Sequence, residues 1–361
     1  MEGAMGMRLF ATLLGPITLL ALAGVWFWRW RRIHHERRLF KMAIDQHWTL
    51  FWAGLIGGVL ASLVISLGLW LLHVHLPIAV LAWFTALDGA AFLLAGLGFG
   101  PWLLAFAGIA AWAAARWLPW SWLAVPAVGH WAAGSLALVA LVFAAEALLL
   151  WLMAPAIDVP KIKDGRRGAR IASYTRRQFY WLPLLVTLPT GHFVFLPLIS
   201  GAALTTRKQL PTQALRFWTK AYAIGGAVVA GLAGWAYAQP ALSLWPLGIS
   251  AAVGLIVALA CRWADQRGIS YISQTTDGVR LVAILPDTPA SKMGLQAGDI
   301  VLKANNIPVG SSDALYEALQ AHPTYCRLRV QRLDGAVRLT ETAIFTGAPH
   351  ELGMITFAED N

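Results

Sequence analysis

Cysteine is nearly missing from this chain. Its 361 residues hold two, Cys261 and Cys326. One ends an apolar run and the other sits in a soluble-looking strand, so a disulfide framework is excluded and both read as packed thiols in a reducing compartment. Charge is scarce as well, at 13% of residues against 58% hydrophobic, a balance that belongs to integral membrane proteins. Tryptophan is missing from residues 264–361, although the chain has 19. Charge divides at the same place, with a net of +13 over 1–263 and −3 over 264–361. The basic pI therefore belongs to loops between apolar runs, and a nucleic-acid footprint, which needs a basic soluble face, is excluded. The apolar run 10–28 is too long for an ordinary signal peptide and is followed by Arg29-Trp30-Arg31-Arg32. It is expected to be a retained anchor. No internal repeat or low-complexity linker is present.

Catalytic constellations are also lacking. Leu87-Asp88-Gly89 invites comparison with the LDG segment of intramembrane metalloproteases, which need two histidines one helical turn apart with a glutamate between them. In His35-Glu36-Arg37-Arg38-Leu39 a leucine stands where the second histidine belongs. Ser200-Gly201 lacks the preceding glycine of rhomboid-type proteases, and nothing places His192 as its base. No catalytic residue, metal site, cofactor or small-molecule substrate is expected, and the chain reads as a non-enzyme. Asp88 and Glu146 remain as acids inside apolar runs, which demand a partner. A Glu146–His130 or Asp88–Arg116 pair is one solution, and an interhelical hydrogen bond is the other. Buried acids and a broken helix also suit a transporter, but no paired half-sequence symmetry supports one.

Apolar runs fall at 9–28, 49–72, 78–97, 102–115, 123–153, 179–200, 221–239 and 242–261. Most are long enough to cross about 30 Å of hydrocarbon. Basic clusters at 29–41, 161–177, 207–220 and at Arg262 with Arg267 place these loops in the cytoplasm by the positive-inside rule. All four can be inside together if 179–200, broken by Pro183, Pro189 and Pro197, enters and leaves on the cytoplasmic side. It is expected to be a broken, re-entrant element shielded by protein. The expected architecture is a polytopic, all-α membrane domain over 1–263 and a soluble domain over 264–361, able to fold when isolated.

The soluble part has explicit turn chemistry. After Gly278 a strand is expected, then a short helix capped by Thr288-Pro289 and stopped at Gly294, then a second strand from Asp299 to Ala304. The order of strand, capped helix, GLQAGD, strand and NNIPV resembles the bacterial PDZ domain, a peptide-binding module. A helix over 313–321 and a hairpin of strands 326–332 and 336–345 around Asp334-Gly335 would complete the sheet. The apolar-Gly-apolar carboxylate loop of PDZ domains is missing ahead of Gly278 and reappears as Leu352-Gly353-Met354-Ile355. That suits a small, circularly permuted PDZ-like α+β barrel whose last strand lines the peptide groove. Leu315 and Leu319 share one helix face, and Ala314 and Ala318 another. One pair lines the groove and the other packs on the core. The peptide-binding residues are thus Leu352, Gly353, Met354, Ile355, Leu315 and Leu319.

Taken together, the first span, the basic stretch RWRRIHHERRLFKMAID, the later spans and the ending Pro349-His350-Glu351-Leu352-Gly353, with YEALQ at 316–320, resemble the MinJ family of cell-division topology proteins. The resemblance implies a scaffold at the cell membrane, enriched at septum and poles. Its partners would be the lipid bilayer, a DivIVA-like scaffold, a MinD-like ATPase and other division proteins. A regulatory subunit that presents chain ends to a membrane protease is the alternative reading.

Overall fold

The computed structural model describes residues 16–40, 49–93, 100–117, 129–152, 159–164, 170–206, 208, 211–267, 272–285, 287–322, 324–344 and 352–357. The helices of the first part are α1 (Pro16–Phe40), α2 (Thr49–Leu71), α3 (Ile78–Leu93), a 3-10 turn (Pro101–Phe106) leading into α4 (Ala107–Trp117), and α5 (His130–Leu152). After three strands come α6 (Pro211–Ala238) and α7 (Leu244–Arg267). Among the described residues four helices are long and apolar enough to cross a membrane, at 51–71, 130–152, 211–238 and 244–266. Of these α5 is central, with 61% of its span buried against 28–39% for the others. The marginal run 102–115 is divided between the 3-10 turn and the short α4. Helix α1 carries the basic run straight out of its apolar half, and the Arg32 Nε donates to Glu36 Oε1 at 2.7 Å one turn on.

Run 179–200 corrects the expectation of a broken helix, and with it that of an all-α membrane domain. It is a β-hairpin. Strand β1 (Val159–Asp164) pairs antiparallel with β2 (Arg170–Thr187), and β2 pairs antiparallel with β3 (Phe193–Thr206) from Tyr174↔Thr206 to Thr187↔Phe193. The hairpin turns at Leu188–His192, where the Leu188 N–H donates to the His192 carbonyl at 2.8 Å. Its tip meets the loop after α2, the Leu76 N–H donating to the Thr187 carbonyl at 3.0 Å. Strand and chain reversal therefore lie at one end of the helical bundle, and both strands return to the other.

A hairpin among membrane helices has two edges whose backbone donors have no water to turn to. The register shows how each is met. In antiparallel strands, opposed residues alternate between those that bond each other and those whose N–H groups point outward. Phe179↔Gly201, Trp181↔Ile199, Pro183↔Pro197 and Leu185↔Phe195 are alternate pairs, and the observed bonds put them in the outward-pointing set. The Ile199 N–H donates to Asp88 Oδ2 at 2.7 Å, and the Gly201 N–H donates to Glu146 Oε2 at 2.9 Å. The Ser200 hydroxyl donates to the same Glu146 oxygen. On the other edge the Leu185 N–H donates to Ser66 Oγ at 2.9 Å. Pro183 and Pro197, opposite each other, have no N–H to leave unmet. The two acids from α3 and α5 are thus hydrogen-bonded caps on the edge of β3. His130 packs instead near the Tyr237 ring, at 5.9 Å between centroids. The β2 edge lies on α2, where a Cβ on Gly58 would stand 2.8 Å from the Trp181 nitrogen. Only glycine lets helix and strand backbones approach so closely.

The second part is a sheet in the order β8-β7-β5-β4-β9, with β6 on β5. Its strands are β4 (Val279–Ile284), β5 (Ile300–Ala304), β6 (Ile307–Pro308), β7 (Tyr325–Gln331), β8 (Val337–Ala343) and β9 (Met354–Thr356). Helices α8 (Pro289–Lys292) and α9 (Ser312–Gln320) complete it. Asn305 and Asn306 take φ +49° and +69° between β5 and β6, the left-handed pair of a type I′ turn. The core joins Leu281, Val301, Ala304, Leu315, Leu319, Leu328 and Met354, all buried. Cys326 is one of its side chains, and burial pushes the thiol up to about 12, as a packed rather than reactive cysteine requires.

The two parts touch through sheet edges. Residues 272–274 run along the free edge of β2, with the Ala172 N–H donating to the Ile272 carbonyl at 3.0 Å and the Gln274 N–H to the Arg170 carbonyl at 2.9 Å. The buried Tyr174 hydroxyl donates to the Val282 carbonyl at 2.6 Å. Ala172, Tyr174, Ile272, Val282 and Phe357 form one buried cluster. Strand β4 is consequently covered on both faces, by its own core and by β2.

Candidate peptide-binding site

Local capping chemistry positions the site. Thr288 is extended at φ −103° and caps α8: its side chain accepts from the Ser291 N–H and donates to the Leu285 carbonyl at 2.6 Å. Ser311 caps α9, accepting from the Ala314 N–H at 3.0 Å. Opposite α9 the chain enters β9 through Leu352 and Gly353, both left-handed at φ +53° and +84°. Their carbonyls accept from the Ala290 N–H at 3.0 Å and the Leu285 N–H at 2.8 Å. The entry loop is therefore clamped to the start of α8.

Strand β9 pairs with β4 through Leu281↔Thr356, Ala283↔Ile355 and Ile284↔Met354, with an irregularity between Leu281 and Ala283. It ends the strand order, and its second edge has no strand partner among the described residues. Its far end is tied to α9: the Ser312 hydroxyl lies 2.9 Å from Thr356 Oγ1 and donates to the Phe357 carbonyl at 3.0 Å. The start of α9 therefore lies beside the end of β9.

Of the six residues singled out in the sequence, Leu315, Leu319, Leu352 and Met354 meet in one buried cluster. Gly353 is buried against Thr288. Ile355 turns to the other face and packs toward Tyr174 and Phe357. Both Leu315 and Leu319 are packed inside, as is Ala318, whereas Ala314 is half-buried. The leucine pair is thus packed into the domain core together with Ala318. Ser312 and Tyr174 were missed in the sequence. Ser312 is one of several polar residues at a helix start, and Tyr174 lies far away in a strand that no local pattern marks.

His192 lies in the turn just before β3, and Ser200 is eight residues on, in the middle of that strand. His192 is exposed in the hairpin turn, while Ser200 is buried on Glu146. At the rise of an extended strand the separation is about 25 Å.

A family description of the PDZ domain matches residues 280–332, the stretch from β4 through β7. No solved structure matches the chain. Among curated proteins, one from Lacticaseibacillus paracasei, described as a cell division topological determinant, MinJ, is 35% identical over 97% of this chain and 98% of its own length. A counterpart from Lacticaseibacillus casei matches equally. The cell division topological determinant MinJ of Bacillus subtilis is 31% identical over 188 residues, half of this chain and 46% of that protein. With a PDZ domain behind spanning helices and this likeness over nearly its whole length, the chain belongs to the MinJ family of cell division topological determinants.

Proposed function

We propose that this protein is a membrane-anchored, non-enzymatic adaptor that takes partner proteins as an added strand along β9, beside α9. The observation that carries this reading is the second edge of β9, which has no strand partner among the described residues, beside a left-handed entry loop and the start of α9. Backbone bonds to such an edge give affinity and the neighbouring apolar side chains give selectivity. Leu352, Gly353, Met354, Leu315 and Leu319 line the site, Ile355 belongs to its strand but turns its side chain to the other face, and the Ser312 bonds to Thr356 and Phe357 are the polar contacts an incoming strand exchanges. The family relation assigns the partners: a DivIVA-like scaffold and a MinD-like ATPase, bridged so that the division inhibitor is placed at pole and septum. The four basic clusters favour a cytoplasmic PDZ-like domain. The separation of Ser200 from His192 speaks against serine hydrolysis, since a nucleophile needs its base within hydrogen-bond reach.

The test is a carboxyl-terminal fluorescent fusion with parallel pull-down from native membranes. Septal enrichment and recovery of division proteins are expected. Recovery of a membrane protease in their place would favour the substrate-presenting alternative, and an active external phosphatase fused to the carboxyl terminus would overturn the orientation.

The division into 1–263 and 264–361 is part of the same proposal, with a consequence for the excised fragment. Its core is complete, but Val282, Ile355 and Phe357 lose the cover of Ala172 and Tyr174. The fragment is expected to melt cooperatively yet self-associate, read by light scattering and by loss of association in Val282→Thr with Phe357→Ser. A monomeric fragment would show that this face needs no cover.

A further inference from the structure

The outer face of the PDZ-like sheet continues past the patch that β2 covers, and it changes character. Over β5, β7 and β8 it forms a concavity of about 350 Å³ lined by Lys303, Asn306, Arg327, Arg329, Val337 and Leu339. Lys303 stands directly opposite Arg329 across the β5–β7 ladder, and Arg327 is two residues from Arg329 on the same face. Like charges directly opposed on a sheet are destabilising. Among the described residues neither Lys303 nor Arg329 has an ion-pair partner, and Arg327 has only the exposed Glu341 at 3.9 Å. The same Glu341 also accepts from the Tyr325 hydroxyl. Three cations are gathered in a region whose net charge is −3. Beside them Val337 and Leu339 are 47% and 55% exposed, on the edge strand opposite to β9.

We infer that this concavity is a second docking surface, separate from the β9 edge, for an acidic protein segment carrying apolar residues among its carboxylates. The chemistry selects this occupant. Arg327 and Arg329 are about 7 Å apart along the strand, the spacing of alternate side chains in an extended chain. The apolar pair gives a place for Leu or Val that a headgroup or a nucleic-acid backbone would leave uncovered. Desolvating the cations against carboxylates relieves the Lys303–Arg329 repulsion, so binding and local stability rise together. A protein with both surfaces holds two partners at once on opposite edges of one sheet.

The test uses the full chain in phosphatidylcholine nanodiscs and a fluorescent peptide, Glu-Leu-Glu-Glu-Leu-Glu, acetylated and amidated so that it offers no terminal carboxylate. Saturable binding is expected, weakened about tenfold or more by Arg327→Glu with Arg329→Glu and unaffected when part of the lipid is phosphatidylglycerol. A single Lys303→Gln variant with unchanged melting should weaken it less. Absence of saturable binding, equal binding by the charge-reversed protein, or abolition by phosphatidylglycerol would each overturn the assignment, the last marking a membrane-facing surface. The basic membrane loops are the same in all variants, so their contribution cancels in the comparison.

Discussion

Glu146→Leu is expected to destabilise the membrane part by about 2–6 kcal/mol, because two buried donors, the Gly201 N–H and the Ser200 hydroxyl, lose their shared acceptor at about 1–3 kcal/mol each. Asp88→Leu orphans only the Ile199 N–H, and about half that loss is expected. The conservative variants separate capping from other roles. Glu146→Gln keeps an acceptor oxygen where Oε2 stands. Glu146 Oε1 has no partner among the described residues, so the new amide donor is itself left unmet, and a loss of about 1–3 kcal/mol is expected. The two leucine variants together should lose more than either alone and release the hairpin, since the edge of β3 then meets only apolar side chains. Thermal unfolding in detergent, with protease access to 188–192 as a second readout, checks this. If Glu146→Leu melts with the parent protein, the edge of β3 is satisfied by other means and the capping account fails.

This hairpin is also where sequence reasoning went furthest astray. In the PDZ-like part the local signals carried their own meaning. Thr288-Pro289 before a short helix, Asp334-Gly335 between two strands and Gly353 in an apolar pair each require one backbone geometry, and each was found near its expected place. Strand bounds shifted by a residue or two, as terminal residues do. In the membrane part both faces of a strand are apolar, one buried and the other, at Trp181, Pro183 and Leu185, half-buried, so the hydropathy alternation that marks a strand on a water-exposed sheet is erased. The apolar run at 179–200 then looks like any spanning helix, and its prolines look like breaks. The informative feature was their pairing across a turn at Pro189-Thr190-Gly191-His192, which places two residues without N–H groups opposite each other. Asp88 and Glu146 were recognisable as acids in need of partners. That both serve alternate residues, Ile199 and Gly201, of one strand edge depends on contacts more than fifty residues apart in the chain, and no local pattern reports those. The basic concavity was equally hidden, since Lys303, Arg327 and Arg329 come together only through the ladder of three strands.

Gly353→Val is the substitution expected to be most damaging in the PDZ-like part, for two reasons that can be separated. The backbone at +84° excludes a β-branched residue, and a Cβ would stand 2.5 Å from both the Thr288 Cβ and Cγ2. Thr288 cannot simply retreat, because its hydroxyl caps α8 and holds the Leu285 carbonyl. Together strain, overlap and loss of the cap are expected to exceed about 4 kcal/mol, the range reserved for disrupted cores and special backbone sites. Gly353→Ala isolates the terms: it keeps the overlap and a smaller torsional penalty. Thr288→Gly removes the three atoms nearest to the new Cβ, while glycine at a helix N-cap costs only a few tenths of a kcal/mol. The double variant should therefore be more stable than the two single losses predict, by about 1 kcal/mol or more, the coupling expected of residues in contact. Chemical unfolding of the full chain in detergent, followed by tyrosine fluorescence of the Trp-free domain under selective acrylamide quenching or by hydrogen exchange of β9 amides, reads each variant. Strict additivity would mean that Gly353 is required for its backbone angle alone. A Gly353→Val protein that melts normally but no longer recruits its partners would instead place this glycine against the incoming chain and not against Thr288.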